Sequence, residues 1–450
     1  MSIIYILNND VIVCILFYLK DYDKMNFMKT CEEYYNLRND IDYTNLYEYN
    51  EIKNLSFCNR FKRLIYRGEI PDKNISVKKT IVKYLVVNLD KPIPDNVTHL
   101  TFDNNFNQDI HNVIPNTVTH LTFGNCFNKN IKDTIPNSVT HLTFGYCFNQ
   151  DIKDCIPNSV THLTFGYHFN QNIKDCIPNS VTHLTFGHYF DQDIKDCIPN
   201  NVTHLTFDDY FNQDIKDSIP NSVTHLTFGH CFNKDIKDAI PNSVTHLTFG
   251  DWFNQDIRDA IPNSVTHLTF GEYFKQEIKD CIPDSVIYLK FGTCFCPKNK
   301  DCFPYTVKHL DFKYFNPGTE NFIPRNVTHL TVEHIPDLYI GCIPKSITHL
   351  TFGWYFNESV KFCIPNSVTH LEFGQHFNKS VKYTIPNSVT HLTFGHHYNK
   401  NVQNCRDKSQ PAVYGQGIPN SVTHLTFHRE YDKNIKYWIP DSVTHLLFLN

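Results

Sequence analysis

Histidine recurs at a fixed interval through most of the 450-residue chain, and this spacing is the first feature with chemical meaning. Sixteen histidines, from His99 to His445, occupy the same position of a repeated phrase whose usual period is 21 residues. Imidazoles spaced in this way could stack and hydrogen-bond to threonine, form a recognition face, or bind metal ions as a strip. Parallel columns would offer pairs of histidines but no closed tetrahedral site, so we expect no metal.

Cysteines also recur in register, without the spacing of a known metal or redox motif. One repeat position holds Cys155, Cys176 and Cys197. We interpret them as small buried hydrophobes, with a redox or metal role as the alternative. Cys126, Cys147 and His168 occupy position 9 of three consecutive repeats and could bind zinc, although a C-x₂-C pair is absent.

The sequence contains no glycine-rich phosphate loop, no G-x-S-x-G motif and no H-E-x-x-H motif. We therefore expect a protein without enzymatic activity or cofactor.

The positions that vary between repeats are the best candidates for specific binding. They follow a predicted strand and are rich in tyrosine, tryptophan and histidine, which are favoured at interfaces. The alternative is that these rings only cover the buried phenylalanines. We call them the aromatic rim. The candidate target-binding residues in it are Tyr146, Tyr167, His188, Tyr189, Tyr210, Trp252, Tyr273, Trp354 and Tyr355.

The phrase that carries these residues occurs seventeen times between residues 92 and 450. We number it from its valine, so that residues 118–138 are positions 1–21, histidine is position 3, and the rim is positions 8 and 9. Leucine at position 4 and phenylalanine at position 6 alternate with polar residues, which indicates a strand, and proline at position 19 prevents a helix before the next strand. A period near 21 residues is typical of leucine-rich-repeat solenoids of parallel strands. Positions 4 and 6 should therefore point inward, and positions 3 and 5 outward.

The repeat resembles the FNIP repeat, a relative of the leucine-rich repeat that is named for Phe-Asn and Ile-Pro pairs such as Phe127-Asn128 and Ile135-Pro136. The resemblance covers about residues 92–450, with a 12-residue insertion within 403–417 and a truncated last repeat. Glycine at position 7 should end each strand through its permissive backbone. Asparagine at position 11 should satisfy backbone groups of neighbouring coils. Because Tyr288 replaces histidine and two repeats are short within 286–343, we expect irregular packing there.

Residues 1–91 carry no such repeat. Apolar residues at helical spacing predict helices over 9–20 and 23–37, and one or two more within 44–67. The segment 81–89 contains V-K-Y-L-V-V, a degenerate copy of V-T-H-L-T-F, and predicts a strand that caps the solenoid. We therefore divide the chain into a small helical domain (1–45), a helical linker with the N-terminal cap (46–91), and the solenoid (92–450).

The helical domain resembles an F-box, whose pattern is a leucine, an acidic turn and an Ile-Leu-x-x-Leu helix. The pairing of an F-box with FNIP repeats is found in social amoebae and in amoeba-infecting giant DNA viruses. The resemblance implies the substrate-recognition subunit of an SCF-type E3 ubiquitin ligase, in which the F-box docks on the adaptor of a cullin complex and the solenoid binds an unknown target protein. The adaptor-binding residues that it implies are Leu7, Val11, Ile12, Ile15, Leu16 and Leu19. The alternative is a non-enzymatic interaction scaffold without a ubiquitin role.

Charge and hydropathy exclude other classes of partner. The chain has 41 basic and 46 acidic residues, a net charge of −5, which argues against nucleic acid. The longest clean apolar run, residues 11–19, is too short to span a bilayer, and no basic segment precedes it as in a secretory signal. We therefore expect reduced thiols and a cytoplasmic location, in the host if the protein is viral. An uncovered strand at 443–448 predicts self-association through this C-terminal edge.

Overall fold

The structure, a computed structural model, describes residues 9–30, 32–67, 81–299, 301–316, 318–335, 341–382, 384–399, 417–428, 431 and 439–449. The chain divides into two compact units, Met1–Val202 and Thr203–Asn450. The fold is a parallel β-solenoid of about seventeen turns with a small helical region at its N-terminus, as predicted.

Helices are few and short. They are α1 (Asn9–Phe17), α2 (Asp21–Met28), α3 (Glu32–Tyr35) and α4 (Tyr49–Ile52), with 3₁₀ turns at Asn36–Asn39, Cys58–Arg60 and Thr319–Asn321. The helix predicted over 23–37 is divided, because the chain leaves helical geometry after Met28 and resumes at Glu32. None of the helices in the described ranges is long and apolar enough to cross a bilayer.

The prediction of helices within 44–67 was wrong apart from α4. The segment forms strands β1 (Tyr43–Glu48) and β2 (Phe61–Arg67), which pair in parallel. Tyr43 and Phe61 are buried and their rings stack at 4.6 Å, so packing on a neighbouring strand overrides the apparent helical spacing. The strand expected at 81–89 is present as β3 (Ile81–Val86), but it pairs with β2, so two strands precede it. The first turns of the solenoid thus lie inside the region assigned to a helical linker.

Each FNIP-like repeat contributes one short strand that pairs in parallel with the strands of neighbouring repeats. In the first unit these strands follow β3 in chain order as β4 (His99–Phe102), β5 (His120–Thr122), β6 (His141–Thr143), β7 (His162–Thr164) and β8 (His183–Thr185). In the second unit they are β9 (His204–Thr206), β10 (His225–Thr227), β11 (His246–Thr248), β12 (His267–Thr269), β13 (Tyr288–Phe291), β14 (His309–Tyr314), β15 (His329–His334), β16 (His349–Phe352), β17 (His370–Phe373), β18 (His391–Thr393), β19 (His424–His428) and β20 (His445–Leu449). Histidine pairs with histidine and leucine with leucine wherever the sequence is regular.

The core consists of ladders of identical side chains, as the alternation predicts. Leu142 and Phe144 are buried at positions 4 and 6, while His141 and Thr143 are partly exposed. Phe144 stacks on Phe165 of the next coil with ring centroids 5.7 Å apart, and on Phe148 of its own coil at 4.0 Å. Offset stacking of this kind adds to the apolar burial that holds successive coils together.

Glycine at position 7 follows the strand, where we expected a permissive backbone, but what requires it is the close approach of the preceding coil. A Cβ on Gly145 would lie 2.0 Å from the carbonyl oxygen of Gly124, and one on Gly166 would lie 1.8 Å from that of Gly145. No side chain fits between these backbones without moving one coil away from the next. The glycine column therefore sets the tight spacing of coils at the rim.

The left-handed backbone lies at position 16, which sequence reasoning did not single out. Asp133 and Asp154 both have φ of 55°, and the same position is left-handed in ten consecutive repeats, from Asn112 to Asp301. Asparagine and aspartate tolerate this conformation better than other residues with a side chain. At position 13, Asp151 accepts a hydrogen bond from the amide of Lys153 at 2.9 Å, which completes the turn.

The irregular region expected within 286–343 has longer strands, β13 to β15, and distinct side-chain pairs. Lys290 and Asp311 form an ion pair at 3.1 Å at position 5, where threonine usually stands. The hydroxyl of Tyr288 donates to the same carboxylate at 3.2 Å.

The last strand, β20, is exposed at all five of its residues, including Leu447 and Phe448. Self-association through this edge stays a prediction.

Candidate functional site

The residues implied by the F-box resemblance fall on two sides of α1. Ile12 and Leu16 are 4% and 1% exposed, so they pack inside the helical region and a partner cannot reach them. Their assignment to adaptor binding is corrected on this ground. Leu7 lies outside the described residues. The other three candidates are exposed: Val11, Ile15 and Leu19.

The exposed side of α1 is larger than the sequence suggested. Val11 and Ile15 of α1 are exposed, and so are Tyr18 in the turn that follows and Tyr22 at the start of α2. Phe17 is exposed as well. Several exposed apolar side chains so close together in sequence are candidates for an interaction surface. We call these residues, with Leu19, the α1 surface.

A buried ion pair holds this helical region against the first strand. Asp21 and Lys24 of α2 are both fully buried, and the Lys24 Nζ atom donates to the Asp21 Oδ1 atom at 3.0 Å and to the carbonyl oxygen of Asp42 at 2.9 Å. The second oxygen of Asp21 accepts from the amide of Asn45 at 2.7 Å and from the Tyr47 hydroxyl at 3.1 Å. Burial and the Asp21 charge raise the pKa of Tyr47. The orientation of α2 on β1 is thus fixed by polar contacts that water cannot replace.

The position-3 histidines form stacked ladders on the outer face of the strands, one of the arrangements left open by the sequence. In the first unit the ladder runs from His99 to His183, with ring centroids 4.0–4.2 Å apart. In the second unit, adjacent rings stack from His204 to His267 and again from His309 to His445. Tyr288 separates these two runs, with centroids 5.7 and 6.4 Å from its neighbours.

Where a threonine precedes a ladder histidine in sequence, its hydroxyl lies within hydrogen-bond distance of the ring, as at His120 and His391; His309 follows Lys308 instead. The Nδ1 atom of His141 lies 2.9 Å from the Thr140 hydroxyl, and that hydroxyl also donates to the carbonyl oxygen of Thr119. Burial lowers the pKa of ten ladder imidazoles between His99 and His391, and repulsion from other ladder rings lowers it further; for His99 and His329 the pKa is lowered to about 4. These ten imidazoles therefore favour the neutral form near pH 7.

The aromatic rim is ordered by stacking between repeats. Tyr146 stacks on Tyr167 at 4.3 Å and Tyr167 on His188 at 4.0 Å, while Tyr189 meets Tyr167 edge-on at 5.1 Å. Burial and the two neighbouring tyrosines raise the pKa of Tyr167 to about 12. The backbone beneath is paired as well, because the Tyr189 amide donates to the carbonyl oxygen of Tyr167.

The rim candidates differ in exposure along the chain. Trp354 and Tyr355 are 55% and 60% exposed, whereas Tyr167 and His188 are only partly exposed because they stack on their neighbours. In the second unit Trp252 lies 5.4 Å from the ring of His230, whose Nδ1 atom is 3.0 Å from the Asp251 carboxylate. Four other candidates are also exposed: Tyr146, Tyr189, Tyr210 and Tyr273.

The cysteine and asparagine columns have structural environments. Cys155, Cys176 and Cys197 are buried, and the Cys155 thiol lies 3.2 Å from the carbonyl oxygen of Lys153. Burial raises the pKa of Cys155 to about 11, which opposes thiolate chemistry. At position 11, the Asn128 side chain accepts a hydrogen bond from the amide of Asn149 in the next coil at 3.0 Å. This is the predicted role, although these asparagines are only partly buried or exposed.

Similar proteins come from a giant virus of amoebae. A relative named as an F-box and FNIP repeat-containing protein, R286 of Acanthamoeba polyphaga mimivirus, is 37% identical over 24% of this chain and 36% of its own length. A relative named as a FNIP repeat-containing protein, L415 of the same virus, is 31% identical over 25% of this chain and 30% of its own. The chain thus matches about a third of the length of these curated relatives. Among solved structures, the functional domain of InlJ from Listeria monocytogenes covers 76% of this chain and 70% of its own at 10% identity, with a TM-score of 0.36.

The family model of the FNIP repeat matches over more than half of the sequence. The matched residues are 88–126, 127–168, 169–209, 194–231, 232–271, 253–294, 337–376 and 415–450. The unmatched stretches still contain strands in register, such as β14 and β18. The chain belongs to the FNIP repeat family.

Proposed function

We propose that this protein is a substrate-recognition subunit of an SCF-type E3 ubiquitin ligase and acts in the cytoplasm without catalysing a reaction itself. The α1 surface would dock on the adaptor of a cullin complex, and the solenoid would bind a target protein. The exposed apolar α1 surface carries the proposal. The buried Asp21–Lys24 pair supports it, because it holds α2, which contains Tyr22 of this surface, on β1. The F-box in the names of similar viral proteins supports it.

Target binding is assigned to the aromatic rim. Exposed tyrosine and tryptophan side chains supply large contact areas and lose little conformational freedom on binding. The strongest candidates are those that expose half or more of their surface: Trp252, Tyr273, Trp354 and Tyr355. In this proposal the adaptor binds the helical domain (1–45) and the target binds the repeats (92–450), while residues 46–91 contribute the first strands of the solenoid. The second candidate function is a scaffold with the same rim and no adaptor.

The full chain is expected to bind a purified SCF adaptor, and the triple variant V11E, I15E and L19E is expected to bind at least about 100-fold more weakly, since three apolar contacts are replaced by charges. Isothermal titration measures both affinities. The control variant carries I287E and Y305E, which change exposed apolar residues of the solenoid. If the triple variant binds the adaptor as tightly as the wild type and its melting temperature is unchanged, α1 is not the adaptor-binding surface. The interaction scaffold would then be the remaining candidate function.

A further inference from the structure

The aromatic rim changes its chemistry in the second unit, where carboxylates stand beside the rings. Between Asp208 and Tyr273, three of four consecutive repeats have acidic side chains at position 7 or 8, and positions 7 to 9 hold no lysine or arginine. The same positions of the four preceding repeats, from Gly124 to Tyr189, hold neither acidic side chains nor lysine or arginine. We use the name acidic rim for eight residues of the second unit: Asp208, Asp209, Tyr210, His230, Asp251, Trp252, Glu272 and Tyr273.

The rings of the acidic rim are accessible to a partner. Tyr210, Trp252 and Tyr273 are all exposed at position 9. Between the first two of these rings, position 9 of the intervening repeat is Cys231, a much smaller side chain. Two large exposed rings therefore flank a small residue, with carboxylates at the adjoining position 8 of their own repeats.

The backbone beneath these side chains is held by hydrogen bonds between coils. The amides of Cys231, Trp252 and Tyr273 donate to the carbonyl oxygens of Asp209, His230 and Asp251 at 2.7–2.9 Å. Each bond joins position 9 of one coil to position 8 of the coil before it. A partner would thus meet side chains on an ordered backbone, which lowers the entropic cost of binding.

The carboxylates already have neighbours, which orient them. The Asp251 Oδ2 atom lies 3.0 Å from the Nδ1 atom of His230, and Glu272 forms an ion pair with Lys313. A carboxylate has about four acceptor positions, so the contact with His230 leaves room on Asp251 for a guanidinium group. Because Lys313 neutralises Glu272, the negative charge of the acidic rim comes from Asp208, Asp209 and Asp251.

The spacing of the rings matches that of an extended peptide. Parallel strands lie about 4.8 Å apart, so Tyr210 and Trp252, which are two coils apart, are separated by about 10 Å along the stacking direction of this unit. A polyproline II segment has three residues per turn and a rise of about 3.1 Å, so every third side chain lies on the same face at intervals of about 9 Å. Two cationic side chains three residues apart could therefore reach both rings.

We infer that the acidic rim binds an extended, arginine-containing segment of the target protein, with guanidinium groups stacked on Tyr210 and Trp252 and paired with the carboxylates of Asp209 and Asp251. The inference rests on the proposed role of the rim in target binding and gives that target a chemical character. Arginine is expected in preference to lysine, because its planar group stacks on aromatic faces and pairs with carboxylates through two hydrogen bonds. The complementary charge excludes an acidic segment, which these carboxylates would repel.

Fluorescence anisotropy of the full chain with a labelled peptide tests this surface. The probe is a peptide of about twelve residues that repeats Arg-Pro-Pro, since this sequence favours polyproline II and places arginine on one face. The wild type is expected to bind it at about 0.1 M salt, to bind the Lys-Pro-Pro peptide several-fold more weakly and not to bind the Glu-Pro-Pro peptide. The variants D208N, D209N and D251N, combined in one chain, and W252A should each bind at least about tenfold more weakly.

The matched control combines D214N, D235N and D256N, which change three exposed carboxylates at position 13 of the same three repeats. It alters the net charge equally and should keep the wild-type affinity. An equal loss in the control and in the rim variant, or no binding of the arginine peptide by the wild type at about 100 μM, would overturn the inference.

The ligase proposal is tested separately, because the peptide assay contains no adaptor. The V11E, I15E and L19E variant should bind the arginine peptide as the wild type does. Peptide binding without adaptor binding would contradict the ligase function and leave the acidic rim in place. Adaptor binding without peptide binding would contradict only the chemical character assigned to the target.

Discussion

The wild-type chain is expected to lose at least about 3 kcal/mol of its free energy of unfolding as the pH falls from about 7.5 to about 5. The pKa is lowered from 6.5 in ten ladder histidines: His99, His120, His141, His225, His246, His309, His329, His349, His370 and His391. Burial is the larger cause, and repulsion between neighbouring rings adds to it. With about 0.3 kcal/mol for each ring, a value discounted for its exposure to solvent, ten rings supply this loss.

The direction of the effect follows from proton uptake. A histidine whose pKa is lower in the folded chain binds fewer protons there than in the unfolded chain, so acid favours unfolding. The contribution of the neutral imidazoles to the free energy of unfolding is complete above pH 6.5, the pKa of histidine in the unfolded chain. It is lost as the pH falls from 6.5 toward the pKa values of the folded chain, which are about 4 for His99 and His329. Because adjacent rings interact, the chain should titrate as a coupled set without a single-site midpoint.

Denaturant unfolding at several pH values measures this loss. The variant H120Q, H141Q, H349Q and H370Q removes four of the ladder rings with lowered pKa and should lose less stability in acid than the wild type. The control variant H111Q, H168Q and H397Q changes histidines outside the ladder and should behave as the wild type. A ladder variant as sensitive to acid as the wild type would show that the stacked imidazoles are not responsible.

Lys24→Met is expected to destabilise the N-terminal region by about 3–5 kcal/mol, because it leaves the buried Asp21 carboxylate without its cation. Methionine fills a similar volume, so lost packing contributes little to the change. Loss of helical circular dichroism at lower denaturant concentration than in the wild type would report it. We also expect adaptor binding to weaken, since α2 would no longer be held on β1.

A second ion pair of the same region provides the control. Lys62 and Asp42 lie 3.1 Å apart, but their side chains are 41% and 30% exposed. Exposed pairs contribute about 0–1 kcal/mol, so Lys62→Met should change stability by no more than that. Equal effects of the two substitutions would show that the Asp21–Lys24 pair is not buried as described.

The repeated part of the fold was predictable because the same pattern of apolar, polar, glycine and proline positions recurs in every repeat. Alternation at positions 3 to 6 indicated which side chains point inward, and Leu142 and Phe144 are buried accordingly. The same register placed one histidine above the next, which made stacking a natural expectation before any distance was known. The same repetition predicted that Cys155 is buried. It also predicted that the Asn128 side chain accepts a hydrogen bond from the backbone of a neighbouring coil, which is the amide of Asn149.

What could not be predicted depends on contacts between distant segments or on backbone geometry. Helical spacing in 44–67 gave no sign that Phe61 would stack on Tyr43 in paired strands. Glycine is needed at position 145 because the carbonyl oxygen of Gly124 in the preceding coil occupies the space of a Cβ atom. The sequence pattern within one repeat does not show this contact between coils. Ile12 and Ile15 looked equivalent in sequence, and only the packing of α1 separates the buried residue from the exposed one.

The most direct test of the proposed function is ubiquitin transfer in a reconstituted reaction that contains the full chain, the adaptor, the cullin complex and the activating and conjugating enzymes. The account predicts ubiquitin conjugates, on a bound target or on the chain itself, that require the chain and disappear with the V11E, I15E and L19E variant. The rim variant W252A, W354A and Y355A should still assemble with the adaptor while losing conjugates on the target. Conjugates that form equally without the chain, or with the α1 variant in its place, would contradict the claim that α1 connects this FNIP solenoid to a ubiquitin ligase.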